Sequence, residues 1–419
     1  GSEMNVTNNH EIADILVINS CIVKESTKEK IRRRVLSIME KIQKEKNWKS
    51  KKLILAGCMP PVYKEVFSEF QNKSLYFLDT SRIKDLLNLI KSIYSGTYDE
   101  DRYLEKRNEQ KLLSSKIPDS SVIGITQISE GCLGNCTYCV TRLAKGKLFS
   151  YSPEEILKSV KRDVLSGCRE IWITSQDNSA YGMDFEESDG KSQLPTLLKN
   201  ILEIPGNFKV RLGMSNPNHI LPILDDLIEI YKDKKMFKFL HIPVQSGSNK
   251  VLREMNRKYS IEDAYRIINR FKEEIPEIII ASDIIVGFPT ESKEDWRKTL
   301  DFVKDVRPEI LNRSNFTGHK KTPAEKLVPL DSNIMKERAK ELDILHRKIC
   351  NEIQSSFVGK EVEALIDKVG WPGTWLGRTS EYKLVAIQTK DNRKKLLGKK
   401  VKAKVKKTTP HYLICSLEE

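Results

Sequence analysis

Three cysteines on one short loop constrain this chain more than any other feature of its sequence. Cys132, Cys136 and Cys139 follow the pattern Cys-x3-Cys-x2-Cys. Three neighbouring thiolates can bind only three irons of a four-iron cluster, so the fourth iron keeps an open position where a small molecule can bind and react. The loop follows a strand-like run and precedes a helical one, which is the context such a motif requires. The sequence therefore predicts a reactive iron–sulfur site.

A structural zinc site and a disulfide framework are the alternatives for these cysteines. A closed zinc site needs a fourth Cys or His nearby, and Cys168 is the nearest remaining thiol. Eight cysteines in 419 residues are too few for a disulfide scaffold. Both alternatives fit less well than an iron–sulfur cluster.

The charge of the chain favours a polyanionic partner. The formal net charge is +14 and the pI is about 9.2, which is typical of nucleic-acid-binding proteins, although a lysine-rich surface can also serve solubility alone. No apolar run approaches the ~20 residues that cross a membrane, and the N-terminus lacks the pattern of a secretory signal. We expect a cytoplasmic protein without a membrane partner.

The order of apolar segments predicts an α/β protein. Strand-like runs at residues 14–20, 52–57 and 74–78 alternate with helical stretches, which indicates a small parallel sheet. Residues 95–118 lack periodicity and are expected to form a linker. Six further strands are then predicted, near residues 121–129, 169–176, 208–215, 237–246, 277–288 and 309–317. Six βα repeats indicate a partial barrel, with function at the C-terminal ends of its strands.

The C-terminal segment has a different character. After a helix near residues 334–354, short strands with Gly and Pro turns predict a small all-β module from Ser355. A basic run in this module is more often a solvated face, but on a compact barrel it can also track RNA phosphates. The predicted RNA-binding residues are Lys394, Lys395, Lys399, Lys400 and Lys404.

Two more cysteines end predicted strands. Cys21 follows the first strand and Cys58 follows the second. Adjacent ends of parallel strands can present two thiols to one metal centre, whereas chance buried cysteines more often lie within strands. A shared metal site at Cys21 and Cys58 and a chance pair of cysteines are therefore both open interpretations.

Together these motifs resemble the radical S-adenosylmethionine (SAM) methylthiotransferase family. The resemblance implies an N-terminal parallel α/β domain (residues 1–112), a central partial (βα)6 radical SAM barrel (residues 118–354) and a small all-β TRAM barrel that grips RNA (residues 355–419). It implies two 4Fe–4S clusters and SAM as cofactors. Cys132, Cys136 and Cys139 would hold the catalytic cluster, and Cys21 and Cys58 would be two of three ligands to an auxiliary cluster.

Four further stretches resemble the family and lie at predicted strand ends: residues 174–182, 211–217, 241–248 and 283–291. There, polar groups can contact SAM and glycines allow close backbone approach. For Arg211, Gln245 and Asp283 the alternative is a satisfied polar residue of the barrel core. The cofactor-binding residues that the resemblance implies are Tyr138, Gln176, Asp177, Arg211, Ser215, Asn216, Gln245, Asp283 and Gly287.

The sequence departs from the family at two places. The first auxiliary-cluster cysteine normally precedes the position of Cys21, yet no cysteine does so here, and Gly1-Ser2 is typical of a cloning remnant. We therefore expect the auxiliary cluster to be incomplete in this form. The family also commonly has Arg and Gly at the positions of His319 and Lys321, so we expect this loop to meet its substrate differently.

The loop sequence looks most like the archaeal and eukaryotic branch of the family. That resemblance implies conversion of N6-threonylcarbamoyladenosine at position 37 of tRNA to its 2-methylthio derivative, with the anticodon stem-loop as partner and ferredoxin or flavodoxin as electron donor. A radical is implied because the replaced C–H bond is scarcely acidic, and a second SAM would supply the methyl group. The alternatives are methylthiolation of a ribosomal-protein aspartate, or a non-catalytic iron–sulfur protein that binds RNA.

Overall fold

Short parallel sheets organise both parts of this chain. The structure is a computed structural model and describes residues 4–70, 74–112, 122–389 and 396–417. It divides into two compact units, one formed by residues 1–114, 138–147 and 317–326, and the other by residues 115–137, 148–316 and 327–419. The predicted Lys394 and Lys395 lie outside the described residues. The predicted linker, residues 95–118, is described as far as residue 112 and contains a short helix at Glu100–Leu104, so the linker prediction is wrong for this part.

The first unit contains a three-stranded parallel sheet in the order β1-β2-β3. Its strands are β1 (Ile15–Ser20), β2 (Lys52–Gly57) and β3 (Leu75–Asp79). Its helices are α1 (Glu25–Lys44), α2 (Pro60–Tyr63), α3 (Leu86–Ser95), α4 (Glu100–Leu104) and α5 (Val140–Lys145). Short 3-10 helices cover Lys46–Trp48, Lys64–Phe70, Thr80–Asp85 and Pro323–Lys326.

The central strand of this sheet is apolar on both faces because helices cover both. Leu53 and Leu55 of β2 pack in one core with Met39 of α1, while Ile54 packs in a second core with Ile90 of α3. Such a strand reads as a continuous hydrophobic run, as expected for a parallel sheet. All three strands of the predicted N-terminal sheet are thus present.

The second unit contains the six predicted βα strands. They form two three-stranded parallel sheets, in the orders β4-β7-β8 and β11-β10-β9. A parallel bridge between Val210 and Met236 links β8, at the edge of the first sheet, to the residues just before β9, at the edge of the second. The six predicted strands are β4 (Ile123–Gln127), β7 (Glu170–Thr174), β8 (Lys209–Leu212), β9 (Phe239–His241), β10 (Ile279–Val286) and β11 (Ile310–Asn315). A separate antiparallel pair is formed by β5 (Ser129–Glu130) and β6 (Phe149–Ser150). The helices are α6 (Pro153–Leu165), α7 (Leu194–Leu202), α8 (Pro217–Ile220), α9 (Leu224–Lys232), α10 (Asn249–Glu254), α11 (Ile261–Glu274), α12 (Lys293–Val306) and α13 (Ser332–Ser355). Further 3-10 turns cover Asn178–Ala180, Glu186–Ser188 and Leu221–Ile223.

Local sequence signals set the starts of the barrel helices. Ser260 and Asp263 form a capping box at the start of α11, and Ser292 and Asp295 form another at the start of α12. Each box satisfies backbone N–H groups that would otherwise lack partners at a helix start. These caps define where the loops that carry the site give way to helix.

The C-terminal residues form a closed five-stranded barrel in the order β12-β13-β14-β16-β15. Its strands are β12 (Glu361–Val369), β13 (Thr374–Arg378), β14 (Leu384–Gln388), β15 (Lys400–Thr408) and β16 (Leu413–Leu417). The predicted all-β module is confirmed. No helix among the described residues has the length and apolar character needed to cross a membrane.

Candidate active site

Gly134 separates the sulfur atoms of two of the predicted cluster ligands. Its backbone N–H donates to the Cys132 sulfur over 3.2 Å. A Cβ at this position would lie 3.3 Å from the Cys132 sulfur and 3.9 Å from the Cys136 sulfur. The glycine therefore leaves open the space beside the two thiols, and its N–H provides a hydrogen-bond donor to the Cys132 sulfur. Both properties suit a metal cluster.

A segment far along the chain holds the cysteine loop in place. The Thr137 N–H donates to the Met255 carbonyl over 3.1 Å, and its hydroxyl donates to the Glu254 carbonyl over 3.0 Å. The Asn256 amide donates to the Asn135 carbonyl over 2.7 Å. The end of α10 thus clamps the loop on both sides of Cys136, a role that sequence periodicity did not indicate.

The third cysteine of the motif lies at a helix start. Cys139 is the N-cap residue of α5 and has an extended backbone, with Tyr138 half-buried before it. None of the eight cysteines, all of which lie in the described ranges, forms a disulfide. Within those same ranges, no three His, Cys, Asp or Glu side chains converge closely enough to hold a metal ion by themselves. The assignment of Cys132, Cys136 and Cys139 as ligands therefore stays a prediction from their spacing.

Three predicted cofactor-binding residues, Gln176, Arg211 and Ser215, each have a buried polar side-chain atom without a hydrogen-bond partner among the described residues. Gln176 follows β7, Ser215 follows β8, and neither the Gln176 Oε1 atom nor the Ser215 hydroxyl has a hydrogen-bond partner in the described part of the chain. Buried polar groups in folded proteins are normally hydrogen-bonded, so such atoms at strand ends point to a bound ligand. The residues present at this end of the barrel fit a polar cofactor such as SAM.

Asp177, in contrast, is occupied by other residues of the chain. One carboxylate oxygen accepts hydrogen bonds from the Ser179 hydroxyl over 2.6 Å and the Asn216 N–H over 3.1 Å. The other lies 2.7 Å from His219 Nδ1. Although burial opposes ionisation, the hydrogen bonds from His219, Ser179 and Asn216 hold the pKa of Asp177 below its usual value. Asp177 therefore braces the ends of β7 and β8, and its predicted contact with the cofactor stays a prediction.

The Arg211 side chain of β8 lies among aromatic rings. Its guanidinium is 5.2 Å from the Trp172 ring centre, 4.9 Å from that of Phe239 and 5.4 Å from that of Tyr382. Tyr382 belongs to the β13–β14 turn of the C-terminal barrel and packs with Phe237 and Phe239. Cation–π contacts thus hold Arg211 where the C-terminal module meets the barrel. The sequence did not indicate these contacts, and the predicted contact of Arg211 with the cofactor stays a prediction.

Strand β7 carries a buried carboxylate. Glu170 of β7 is fully buried and accepts a hydrogen bond from the Trp172 indole over 2.5 Å. Burial raises its pKa to about 7, against the lowering effect of that hydrogen bond. This group consequently titrates near neutral pH.

The opposite half of the barrel presents a polar network. Asp283 of β10 has one carboxylate oxygen 3.2 Å from His241 Nε2 of β9, and the same oxygen accepts from the Asn312 amide of β11 over 2.7 Å. The Gln245 N–H donates to the Asp283 carbonyl over 2.8 Å, with a left-handed backbone at Gln245 (φ +75°). Asn312 is a further polar residue of this network that the motifs did not reveal.

Gly287 has a packing reason to be glycine. It adopts φ +80°, and a Cβ there would lie 2.4 Å from the Met335 side chain of α13. The residue therefore admits α13 against the end of β10. Its predicted approach to the cofactor stays a prediction.

Cys21 and Cys58 of the first unit are neighbours, as predicted from their strands. Ser20 pairs with Gly57 in the parallel register, and the Cys58 N–H donates to the Ser20 carbonyl over 2.9 Å. Gly57 adopts φ +96° and leaves no room for a side chain. Cys21 is exposed and Cys58 is half-buried, so both thiols are accessible at the same sheet edge.

The loop that departs from the family is part of the first unit. His319 is buried, with its Nδ1 3.1 Å from the Tyr63 hydroxyl, and burial together with Lys28 lowers its pKa. Lys321 has φ +66° and pairs with Glu65 at 3.2 Å. A left-handed backbone explains why glycine suits the Lys321 position. His319 therefore serves the packing of this unit.

The predicted RNA-binding lysines face outward on β15, but carboxylates lie beside them. Lys400 and Lys404 are exposed, as is Lys399 just before the strand. Lys404 lies opposite Glu361 in the antiparallel register of β15 and β12. The Lys400 ammonium lies 3.4 Å from the Glu363 carboxylate. The face is thus less positive than the sequence run alone indicated.

A second basic surface borders the edge strand β11. It is a cleft of about 460 Å³ whose charged lining residues are mainly cationic. Those residues are Arg313, Lys336, Lys340, Asp343 and Arg347.

Comparison with known proteins agrees with this architecture. The profile of the Radical SAM superfamily matches residues 126–303, that of the TRAM domain matches residues 355–417, and that of the uncharacterized protein family UPF0004 matches residues 1–78. The radical S-adenosylmethionine methyltransferase TsrM from Kitasatospora setae, solved with cobalamin and a 4Fe–4S cluster bound, has a similar fold. Its TM-score is 0.55 at 13% identity, over 92% of this chain and 71% of that one. The fold and the cysteine loop define a radical SAM protein with a C-terminal TRAM domain, a class that uses an iron–sulfur cluster and SAM.

Curated relatives resolve the family further. This chain is 38% identical to the probable threonylcarbamoyladenosine tRNA methylthiotransferase of Archaeoglobus fulgidus, over 97% of this chain and 91% of that protein. It is 32% identical to the threonylcarbamoyladenosine tRNA methylthiotransferase of Drosophila melanogaster, over 94% of this chain and 69% of that protein. The chain belongs to the threonylcarbamoyladenosine tRNA methylthiotransferase family. The family predicted from the sequence is thereby confirmed.

Proposed function

We propose that this protein converts N6-threonylcarbamoyladenosine at position 37 of tRNA to its 2-methylthio derivative by radical SAM chemistry. The observation that carries the proposal is the three-cysteine loop held by the end of α10, in a chain that shares nearly its full length with relatives of that name. It is supported by the side-chain oxygens of Gln176 and Ser215, which lie at the ends of two barrel strands without a partner among the described residues. The open fourth iron that three thiolates leave is the place for SAM.

The residues of the barrel have separate tasks in this proposal. Cys132, Cys136 and Cys139 hold the cluster, which together with SAM supplies, when bound, the 5′-deoxyadenosyl radical needed to remove an unactivated hydrogen. Gln176 and Ser215 offer polar atoms to SAM at the strand ends. The Asp177–His219 contact keeps those strand ends in register, which preserves the geometry that radical transfer needs.

The first unit is proposed to hold the auxiliary cluster. Cys21 and Cys58 lie at neighbouring strand ends and can both reach one metal centre. In this proposal Cys21 and Cys58 are two of the protein ligands of that cluster. Ferredoxin or flavodoxin is the proposed electron donor, and the cytoplasm the proposed compartment.

The proposed partner is the anticodon stem-loop of tRNA. Its bases are single-stranded and can be turned into a pocket at a small cost in stacking. The TRAM domain and the basic cleft beside β11 offer cationic surfaces for the RNA backbone. Positive charge on both surfaces at neutral pH predicts binding that weakens as salt rises.

The test is nucleoside analysis of tRNA after anaerobic reaction. Reconstituted protein, SAM, dithionite, a sulfide source and tRNA carrying N6-threonylcarbamoyladenosine are incubated, and the digested nucleosides are separated and identified by mass. We expect the 2-methylthio nucleoside with the unaltered chain and none with Cys136→Ala. Methylthiolation of a ribosomal protein instead of tRNA would contradict the proposal. Failure of the unaltered chain to cleave SAM with either substrate would contradict it as well.

A further inference from the structure

Arg257 connects the cysteine loop to the strand ends of the barrel. One terminal nitrogen of its guanidinium, Nη1, lies 3.4 Å from the Cys136 sulfur. The other, Nη2, donates to the Asn216 side-chain oxygen over 3.0 Å and to the Pro243 carbonyl over 3.1 Å. A single planar group thus contacts a predicted cluster ligand and two neighbouring loops.

The guanidinium is held in this orientation from its other side. Its Nε donates to the Tyr259 hydroxyl over 3.1 Å, and it stacks 4.9 Å from the centre of the Tyr259 ring. The Tyr259 hydroxyl in turn donates to the Val244 carbonyl over 2.6 Å, and Tyr259 is buried. The contact with Cys136 is therefore made by a fixed side chain, and not by a surface arginine that happens to point inward.

We propose that Arg257 is a positioning residue that donates a hydrogen bond to the Cys136 thiolate when this ligand binds the cluster, and so raises the reduction potential of the cluster. Reduction adds one negative charge to the cluster, and a cationic donor to a ligand sulfur stabilises that more negative state. Hydrogen bonds to metal ligands commonly tune metal sites in this way. The inference rests on the proposed cluster at Cys132, Cys136 and Cys139.

The fork geometry of arginine is essential to this role. A lysine at position 257 keeps one positive charge, but a single ammonium cannot reproduce three planar contacts with Cys136, Asn216 and Pro243. A glutamine removes the charge as well. Arg257→Lys and Arg257→Gln therefore separate the contribution of charge from that of geometry.

A potentiometric titration followed by EPR provides the test. The variants are made in a Cys21→Ala/Cys58→Ala background, so that the auxiliary site gives no signal, and are reconstituted anaerobically and reduced in steps with dithionite and mediators. We expect Arg257→Gln to bind as much iron as the parent, with a ratio of reduced to oxidised cluster about tenfold lower at a fixed potential, which is a shift of about 59 mV to more negative values. Arg257→Lys is expected to lie between the two.

The control is Arg253→Gln, since Arg253 lies exposed on α10 one turn before Arg257. Its potential is expected to match the parent. An unchanged potential in Arg257→Gln at full iron content would overturn the inference, as would loss of iron from both position-257 variants, because Arg257 would then serve retention of the cluster. If only Arg257→Gln loses iron, the test rests on the reduction potential of Arg257→Lys. A potential more negative than that of the parent would support the inference, and an unchanged potential would overturn it. A parent that binds no iron would instead refute the cluster assignment itself.

Discussion

The Nδ1 atom of His219 lies 2.7 Å from the carboxylate of Asp177, and this contact joins the segments that follow β7 and β8. Both side chains are largely buried. Replacing Asp177 with Asn leaves the imidazole without its charged partner, so we expect Asp177→Asn to lower the free energy of unfolding by about 2–4 kcal/mol. Urea denaturation measures this change. Asp226→Asn, at an exposed ion pair with Lys199, is the control and should leave stability unchanged.

Gly134→Ala should impair iron binding without unfolding the protein. The added methyl group would lie 3.3 Å from the Cys132 sulfur and 3.9 Å from the Cys136 sulfur, in the space that a cluster needs. We expect the iron content after reconstitution to fall to less than half, with an unchanged thermal midpoint. Gly318→Ala, where the nearest atom to a Cβ is 3.5 Å away, should retain its iron. Full iron content in Gly134→Ala would show that the space between the thiols is not used.

Stability should fall as pH rises through the window between the usual pKa of a glutamate and the raised pKa of Glu170. Burial raises that pKa from 4.5 to about 7, so between these values the folded protein binds more protons than the unfolded chain and loses stability as pH rises. Because one pKa unit corresponds to about 1.4 kcal/mol, Glu170→Gln should shrink the difference in stability between pH 5 and pH 8 by roughly 2 kcal/mol. The measurement is urea denaturation at both pH values. Glu203→Gln, at an exposed position, should leave the difference as it is.

RNA binding should depend on β15 and on the glutamates beside it. Lys400→Gln/Lys404→Gln is expected to reduce the slope of log affinity against log salt by roughly one unit for each phosphate that the variant no longer neutralises. Glu361→Gln/Glu363→Gln should strengthen binding, because these carboxylates lie opposite or beside the lysines. Filter binding of the anticodon stem-loop over a salt series measures both. Lys304→Gln, at an exposed position of α12, is the control. An unchanged slope in the β15 variant would mean that this face is only solvated.

Much of the fold could be predicted because its signals are local. The apolar runs that became β1, β2 and β10 are bounded by helical stretches, and each strand starts within two residues of its predicted position. The adjacency of Cys21 and Cys58 followed from the same pattern, because parallel strands bring their C-terminal ends to one edge.

Contacts between distant segments could not be predicted from periodicity. Arg257 reaches Cys136 across 121 residues, and Tyr382 reaches Arg211 from another module; neither has a local sequence signature. Helix α5 belongs to the first unit, whereas residues 115–137 before it and 148–316 after it belong to the second. This assignment also results from tertiary packing and has no local sequence signal. A motif thus predicts which residues carry the chemistry, whereas the contacts that support those residues depend on the whole chain.

The central claim is that the three-cysteine loop holds a SAM-binding iron–sulfur cluster. The most direct test is iron content and low-temperature EPR of the anaerobically reconstituted Cys21→Ala/Cys58→Ala protein, reduced with dithionite and measured before and after addition of SAM. We predict about four irons per chain and a signal that SAM perturbs, because three thiolates leave one iron open to SAM. Bound zinc without iron, or an iron signal that SAM leaves unchanged, would contradict the account.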